Sequence, residues 1–306
     1  MKRAIITGAT CGIGISLIKR LVANGTEVLA LCRKDSNRNI NIPSNKLVAI
    51  KYCGLNELCD IENDTGKEYD VFYHFGWDTA RSRRNDFYSQ CNNIRFALDA
   101  VSAAAKFGCK TFIGAGSQAE YGRVEGTLRP ETPTFPENGY GIAKLAAGNF
   151  TREYAHSLGM KHIWGRIVST YGPYEGGEGK SMITSVVTKL MAGETMEFTK
   201  GEQMWDYLFN GDAAEAFSLI GNKGIDGKVY VLGSGEARPL KDMIYEIADI
   251  FGARNLIKLG VLPYADRQVM HLKADISELT ADTGWIPQTT IKDGVKEIVK
   301  YLENNT

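Results

Sequence analysis

The sequence predicts an α/β fold, a doubly wound parallel sheet followed by a smaller α/β C-terminal domain. Three observations predict it. A strand, a glycine-rich turn and a helix follow one another at the start of the chain. Short apolar runs then alternate with longer helical patterns through residue 167. Beyond residue 172 the pattern loses its regularity. Strands that alternate with helices pair in parallel, because a parallel neighbour is reached only by a crossover. Ligands of such sheets sit across the carboxyl ends of the strands.

The first strand is Ala4-Ile5-Ile6, and the helical pattern after it is Ile13, Leu17, Ile18 and Leu21. Between them stand Gly8, Gly12 and Gly14. Glycine lets a backbone turn tightly and approach a pyrophosphate, and the helix N-terminus offers that anion its free N–H groups. A glycine triplet can also serve a plain strand-to-helix turn. The strand before it and the helix after it favour a dinucleotide. Gly8, Thr10, Cys11, Gly12 and Ile13 are the candidate contacts. Residues 27–32 form the second strand and run into Arg33-Lys34. An acidic residue there would bind the ribose hydroxyl of NAD, whereas two cations suit the 2′-phosphate of NADP. NADP(H) is therefore expected ahead of NAD, with a solvated basic loop as the alternative.

Residues 47–52 and 70–74 supply the third and fourth strands, and Phe75-Gly76-Trp77 turns out of the fourth. Phe75 joins the cofactor candidates. Residues 87–107 read as one helix, with Ile94, Leu98, Val101 and Ala105 on one face. Residues 110–114 are the fifth strand and 161–167 the sixth, with a helix from Asn138 to about residue 157 between them. The boundary falls at Tyr171-Gly172-Pro173, giving a cofactor domain at 1–172 and a substrate domain at 173–306. Segments around 205–235 are free to return to the first domain. Helices are expected at 181–192, from Asp212, at 240–251 and from Ile291, with strands at 196–198 and 229–232.

Composition excludes several classes. The 306 residues are 43% hydrophobic, ample for a core, and the formal net charge is zero. Nothing points to a nucleic-acid or membrane surface. No apolar run is long enough to span a bilayer, and no basic-then-apolar signal precedes the first strand. The six cysteines show no paired ligand spacing and fall on or beside apolar runs. They read as buried free thiols of a reducing cytoplasm. The four histidines are scattered, and no metal site is expected.

Ser117 sits in the stretch Gly116-Ser117-Gln118-Ala119-Glu120-Tyr121-Gly122, beyond the fifth strand. Tyr140 and Lys144 are four apart on the next helix and share a face. With 14 tyrosines in the chain, one such pair is expected by chance. Its place beside the serine loop is what carries weight.

In these motifs, with Asp70-Val-Phe-Tyr-His74, Arg166…Tyr171-Gly172-Pro173, Trp205-Asp206-Tyr-x-Phe-x-x-Asp212 and Gly284-Trp285-x-Pro287, the chain resembles the extended short-chain dehydrogenase/reductases. This is the NAD-dependent epimerase/dehydratase family, whose fold is Rossmann-type. The resemblance is to the branch that modifies nucleotide-linked sugars, and it covers nearly the whole chain. Departures are the glycine spacing with Cys11, the missing acid at Gly54-Leu55, and Trp205 where an arginine is common.

The resemblance implies Ser117, Tyr140 and Lys144 as a catalytic triad. Hydride delivery to a ketone leaves an alkoxide that needs a proton. A tyrosine at about 10 is too weak an acid to cycle easily, and a nearby ammonium favours its phenolate. Ser117 would donate to the carbonyl oxygen. Lys144 would also hold the nicotinamide ribose, and Asn93, a further cofactor-site candidate, would orient backbone or water near Lys144, with an ordinary polar helix residue as the alternative. Gln118 and Ala119 replace the acid pair of the 4,6-dehydratases. The serine loop has no cysteine, and Tyr174 stands where epimerase/reductases carry a histidine.

What remains is NADPH-dependent reduction of the 4-keto group of a nucleotide-linked 4-keto-6-deoxy sugar, of the CDP-abequose/paratose synthase type. The product would be an activated deoxysugar for surface polysaccharide. Ser117, Gln118, Thr170, Lys180 and Arg267 are the implied contacts of the nucleotide-diphosphate sugar. A 4-epimerase with tightly bound NAD and a non-catalytic NADP-sensing module are the alternatives. The helices at 87–107 and 140–157 resemble the pair that forms a four-helix homodimer interface.

Overall fold

The computed structural model describes residues 1–78, 83–175 and 180–304. Its largest element is a seven-stranded parallel sheet. β1 (Arg3–Thr7) leads through α1 (Gly12–Ala23) to β2 (Glu27–Cys32) and then β3 (Val48–Tyr52). β4 (Val71–His74) returns to the other side of β1 and is followed by α2 (Phe87–Lys106). β5 (Thr111–Ser117), α3 (Gly139–Ser157) and β6 (Lys161–Ile167) continue outward. The strand order is β3-β2-β1-β4-β5-β6, with one later strand beyond β6. The order reverses between β1 and β4, and at such a point a doubly wound sheet opens its ligand crevice.

Both faces of the inner strands are covered, which is why they read as continuous apolar runs, whereas the edge strand β3 leaves Ile50 and Tyr52 exposed. In β1, Ala4 and Ile6 join the core under α1, and Ile5 joins the core on the opposite face under α2. The period of two in a strand produces that division. Asn138 begins α3 by accepting the Gly141 N–H at 2.8 Å. It satisfies one of the donors a helix start leaves open.

Past β6 the chain crosses between layers. β7 (Ser169–Tyr171), α4 (Met182–Met191), β8 (Met196–Glu197) and β9 (Met204–Trp205) lead to β10 (Tyr207–Phe209), which pairs in parallel with β7. α5 (Asn210–Lys223) packs beside α1. The next strand, β11 (Val229–Leu232), is the outermost strand of the main sheet, parallel to β6. Then come β12 (Arg238–Pro239), α6 (Leu240–Ile250), β13 (Ile257–Lys258), β14 (His271–Leu272), α7 (Ser277–Thr283) and α8 (Ile291–Glu303). α4, α6 and α8 close a second core around Ile183, Ile244 and Ile298. Trp285, after α7, instead packs into the core beneath α1 and donates its indole N–H to the Asp212 carbonyl.

Three sequence expectations are corrected. The fifth strand runs through Ser117, not to Gly114, because its glycines lie under the Trp164 indole. A Cβ at Gly114 would meet Trp164 Cζ3 at 2.1 Å, and one at Gly116 would meet Trp164 Nε1 at 2.3 Å. Short β7 and α7 gave too little periodicity to be anticipated. The cysteines are not uniformly buried: Cys32 and Cys109 are, whereas Cys59 and Cys91 are exposed.

The fit of Trp164 on β5 can be tested directly. Gly114→Ala is expected to lower stability by about 1–3 kcal/mol through overpacking. A urea midpoint equal to that of the unaltered protein would contradict this account.

Candidate functional site

The carboxyl ends of β1, β4, β5 and β6 open into a cleft of about 1360 Å³. Its floor is the turn between β1 and α1. Gly8 has φ of 65°, and a Cβ there would meet the Phe75 carbonyl carbon at 2.6 Å. A Cβ on Gly14 would meet the Gly8 oxygen at 2.5 Å, and one on Gly12 the Asn210 amide nitrogen at 2.3 Å. Backbone atoms exclude a side chain at Gly8 and Gly14, and at Gly12 one would have to displace the Asn210 amide. Cys11 replaces the usual small cap with a thiol whose Sγ accepts the Gly14 N–H at 3.2 Å. The other N–H groups of this first turn have no acceptor within the helix and face the cleft with a positive dipole end. The turn fits a dinucleotide pyrophosphate. Thr10, Cys11, Ile13 and Phe75 line the same floor.

Beyond β2 the structure separates two neighbours that the sequence paired. Arg33 lines the cleft, and Lys34 is exposed outside its lining. The reason is local: the Arg33 carbonyl accepts the Ser36 N–H and the Asn39 amide, so the chain turns away at once. The turn brings in Arg38, half-buried and in the lining, which sequence reasoning missed. Among the described residues no acidic side chain lines this end, which holds Arg33, Ser36, Arg38 and Asn56.

At the other end stand Ser117, Tyr140 and Lys144. Ser117 is the last residue of β5 and is buried. Tyr140, half-buried, enters on the first turn of α3, one helical turn before buried Lys144. The Lys144 ammonium donates to the Ala115 carbonyl at 2.7 Å and lies 3.7 Å from the centre of the Trp77 ring. Burial pushes its pKa down to about 7, against the pull of Glu120 and Cys11. Tyr140 departs from expectation. Its pKa is raised, because burial outweighs the hydrogen bond with Ser117 and the charge of Arg84, while Glu120 pushes the same way as burial. The lysine lies 5.9 Å from the centre of the phenol ring, and Arg84 lies at 5.2 Å. Arg84 is thus a cation of this site that the sequence did not single out.

Asn93 lies outside the cleft lining, buried in α2, where it orients backbone near the lysine: it accepts the Asp78 N–H at 2.9 Å and donates to the Asp78 carbonyl at 3.3 Å. It thereby holds the segment carrying Trp77, whose ring lies under the Lys144 ammonium. Behind Ser117 lies Glu120, also missed. Its carboxylate accepts the Ser117 N–H at 2.8 Å, the Trp164 indole N–H at 3.0 Å and the Arg166 Nε–H at 2.7 Å. The signal was present: Ser117-x-x-Glu120 is the pattern of a capping box, and the 3-10 turn Gln118–Glu120 carries one.

Gln118, Thr170, Lys180 and Arg267 line the wall nearer the second core. Arg267 takes a positive φ of 59°, uncommon for a side chain other than glycine and frequent where a backbone is held for a ligand. Trp205, in the place of the expected arginine, donates to the Ser169 hydroxyl at 2.9 Å. Among the described residues no group of acids, histidines and cysteines is placed to hold a metal ion, and no helix is long and apolar enough to cross a membrane.

Known proteins are similar to this chain. A dTDP-glucose 4,6-dehydratase of Xanthomonas campestris is 27% identical over 207 residues, covering 64% of this chain. The match spans only 58% of that relative's length. A UDP-glucose 4-epimerase of Mycolicibacterium smegmatis is 24% identical across 99% of both chains. Among solved structures, a UDP-N-acetylglucosamine 4-epimerase of Methanobrevibacter ruminantium superposes with a TM-score of 0.89 over 100% of this chain and 99% of its own, at 20% identity. That likeness extends the fold over the whole chain. The family model for the NAD dependent epimerase/dehydratase family matches residues 4–233, and the chain belongs to that family.

Proposed function

We propose that this protein uses NADPH to reduce the 4-keto group of a nucleotide-linked 4-keto-6-deoxy sugar, yielding an activated deoxysugar for surface polysaccharide. The observation that carries the reading is the pair of arginines, Arg33 and Arg38, at a cleft end that no described acid lines. Guanidinium groups clamp a phosphate bidentately, so this end suits the 2′-phosphate of NADP and a cofactor that exchanges. When bound, NADPH supplies the hydride.

The chain's own residues handle the oxygen and the proton. Ser117 donates to the carbonyl oxygen as charge develops there. Tyr140, its phenol held protonated by burial, gives that proton to the alkoxide. A raised phenol pKa suits a donor in reduction better than a base that must begin by oxidising an alcohol. Gln118 and Ala119 offer no acid–base pair for removing water, so ketone reduction stands alone. Arg267, with Thr170 and Lys180, would hold the diphosphate. Residues 1–172 would carry the cofactor and the later segments the substrate, with β11 returned to the main sheet. The retained Tyr140–Lys144 pair argues against a non-catalytic sensor.

A second reading is a 4-epimerase that keeps NAD bound and recycles it. The relatives named as 4-epimerases favour it. Cofactor released on denaturing the purified protein separates the two, since retained NAD supports the epimerase. For the reductase, NADPH oxidation with a 4-keto-6-deoxy nucleotide sugar is expected to fall about 10²–10⁴-fold in Tyr140→Phe. Undiminished turnover in that variant would refute the assignment.

The joint change Arg33→Ala, Arg38→Ala should weaken NADPH about 10–100-fold, the value of one or two charge-assisted bonds, and leave NADH unchanged. An equal loss for both cofactors would show that the arginines do not read the 2′-phosphate.

α2 and α3 pack side by side and leave Phe150 58% and Ile142 50% exposed. We propose that these helices form a homodimer. Sedimentation is expected to give twice the chain mass, and monomer alone at micromolar concentration would exclude it.

A further inference from the structure

Glu120 lies in the serine loop yet faces away from the cleft, and it is fully buried. Its carboxylate joins three elements that meet at the reacting end. It binds the backbone N–H of Ser117 at the end of β5, and the indole of Trp164 and the guanidinium of Arg166, both on β6. Arg166 is held in turn, 4.5 Å over the Tyr121 ring and donating to the Pro130 carbonyl at 3.3 Å. Three donors on one carboxylate fix its position, and burial makes its charge act over a longer range than it would in water.

We propose that Glu120 is a positioning residue of the reaction: its carboxylate, fixed by Trp164 and Arg166, sets the backbone that aims the Ser117 hydroxyl. The proposal rests on Ser117, Tyr140 and Lys144 being the reacting residues. Among the described residues, these groups act on them, with Arg166 paired to Glu120 itself. Lys144 faces Glu120 from the serine loop, Cys11 from the glycine turn, and His74 of β4, itself buried, neutral and pushed down to about 3. Tyr140 faces Arg84 from the segment before α2, Ser117, and the same Glu120. For both Lys144 and Tyr140 Glu120 raises the pKa, so removing its charge makes each lose its proton at lower pH. Tyr140 must be protonated to donate, and Lys144 must be protonated to act as a cation. A buried acid behind the loop therefore extends the working range toward alkaline pH.

Glu120→Gln alone leaves a buried guanidinium unpaired, a change that can unfold a protein. The informative variant removes both charges: Glu120→Gln with Arg166→Met. In the cofactor-free protein with ¹⁵N-labelled lysine, the NMR titration midpoint of Lys144 is expected to move to lower pH. The Ser117 amide, deprived of a charged acceptor, is expected to exchange its proton about tenfold faster. Arg166→Lys, which keeps the pair, should leave the Lys144 midpoint in place. A folded double variant with an unmoved midpoint overturns the electrostatic role, and unchanged Ser117 exchange overturns the positioning role. Should the double variant not fold, Glu120→Asp keeps the charge but withdraws it by one methylene. It should then speed Ser117 exchange without moving Lys144, and unaltered exchange there overturns the proposal. Turnover enters none of these readings, so a protein that reduces no 4-keto sugar leaves them intact.

Discussion

A carboxylate sealed from water needs donors on every side, and Glu120 obtains them only because β5 and β6 meet in one way. The Trp164 indole must lie flat against β5 to bring its N–H to the carboxylate, and it can do so only over Gly114 and Gly116. Gly148 of α3 lets the helix close on the ring from the other side, since a Cβ there would meet Trp164 Cε2 at 2.9 Å. Arg166, two residues on along β6, points to the same face as Trp164 and completes the pair. Losing any one partner strands a buried charge or an indole N–H. The serine loop, the start of α3 and the end of β6 are thus held in one arrangement by a chain of mutual requirements.

The fold was legible because it depends on pattern. Strands buried on both faces are apolar throughout, and Ile5 and Ile6 need no special neighbours to be recognised as strand. The glycine turn was legible because close backbone approaches at Gly8 and Gly14, and the Asn210 amide at Gly12, leave no ready room for a side chain. Ser117, Tyr140 and Lys144 were found by their order along the chain and by resemblance, and the fold brings all three to one cleft. What escaped depends on contacts distant in sequence. Gly114-Ala115-Gly116 has the composition of a turn, and only the indole of Trp164 shows why it continues as strand. Arg38 was missed, and Lys34 preferred, because the direction of the loop is set by Asn39 bonding back to Arg33.

The acidity of Tyr140 was misjudged for a related reason. A lysine four residues along a helix is close enough to act on a phenol, and that much is visible in the spacing. Where the ammonium goes is decided by the Ala115 carbonyl and the Trp77 face, neither of which the spacing contains. Trp77 is itself fixed by its indole N–H to Gln90 and, through Asp78, by Asn93. Residues of α2 that never enter the cleft therefore determine how far the lysine stands from the tyrosine.

Burial acts on the two groups in opposite senses. It raises the phenol and lowers the ammonium, because in each case it disfavours the charged form. Near neutrality the tyrosine keeps its proton, while a lysine at about 7 is poised between its two states. The Ala115 carbonyl and the Trp77 face both interact best with the ammonium, and the buried carboxylate behind Ser117 favours it further. The cleft thus carries one firm proton donor and one cation held against its own desolvation. That cation costs the folded protein stability wherever it stays charged. Such an arrangement is retained where a reaction needs it, since an apolar side chain at the same buried position would carry no such cost.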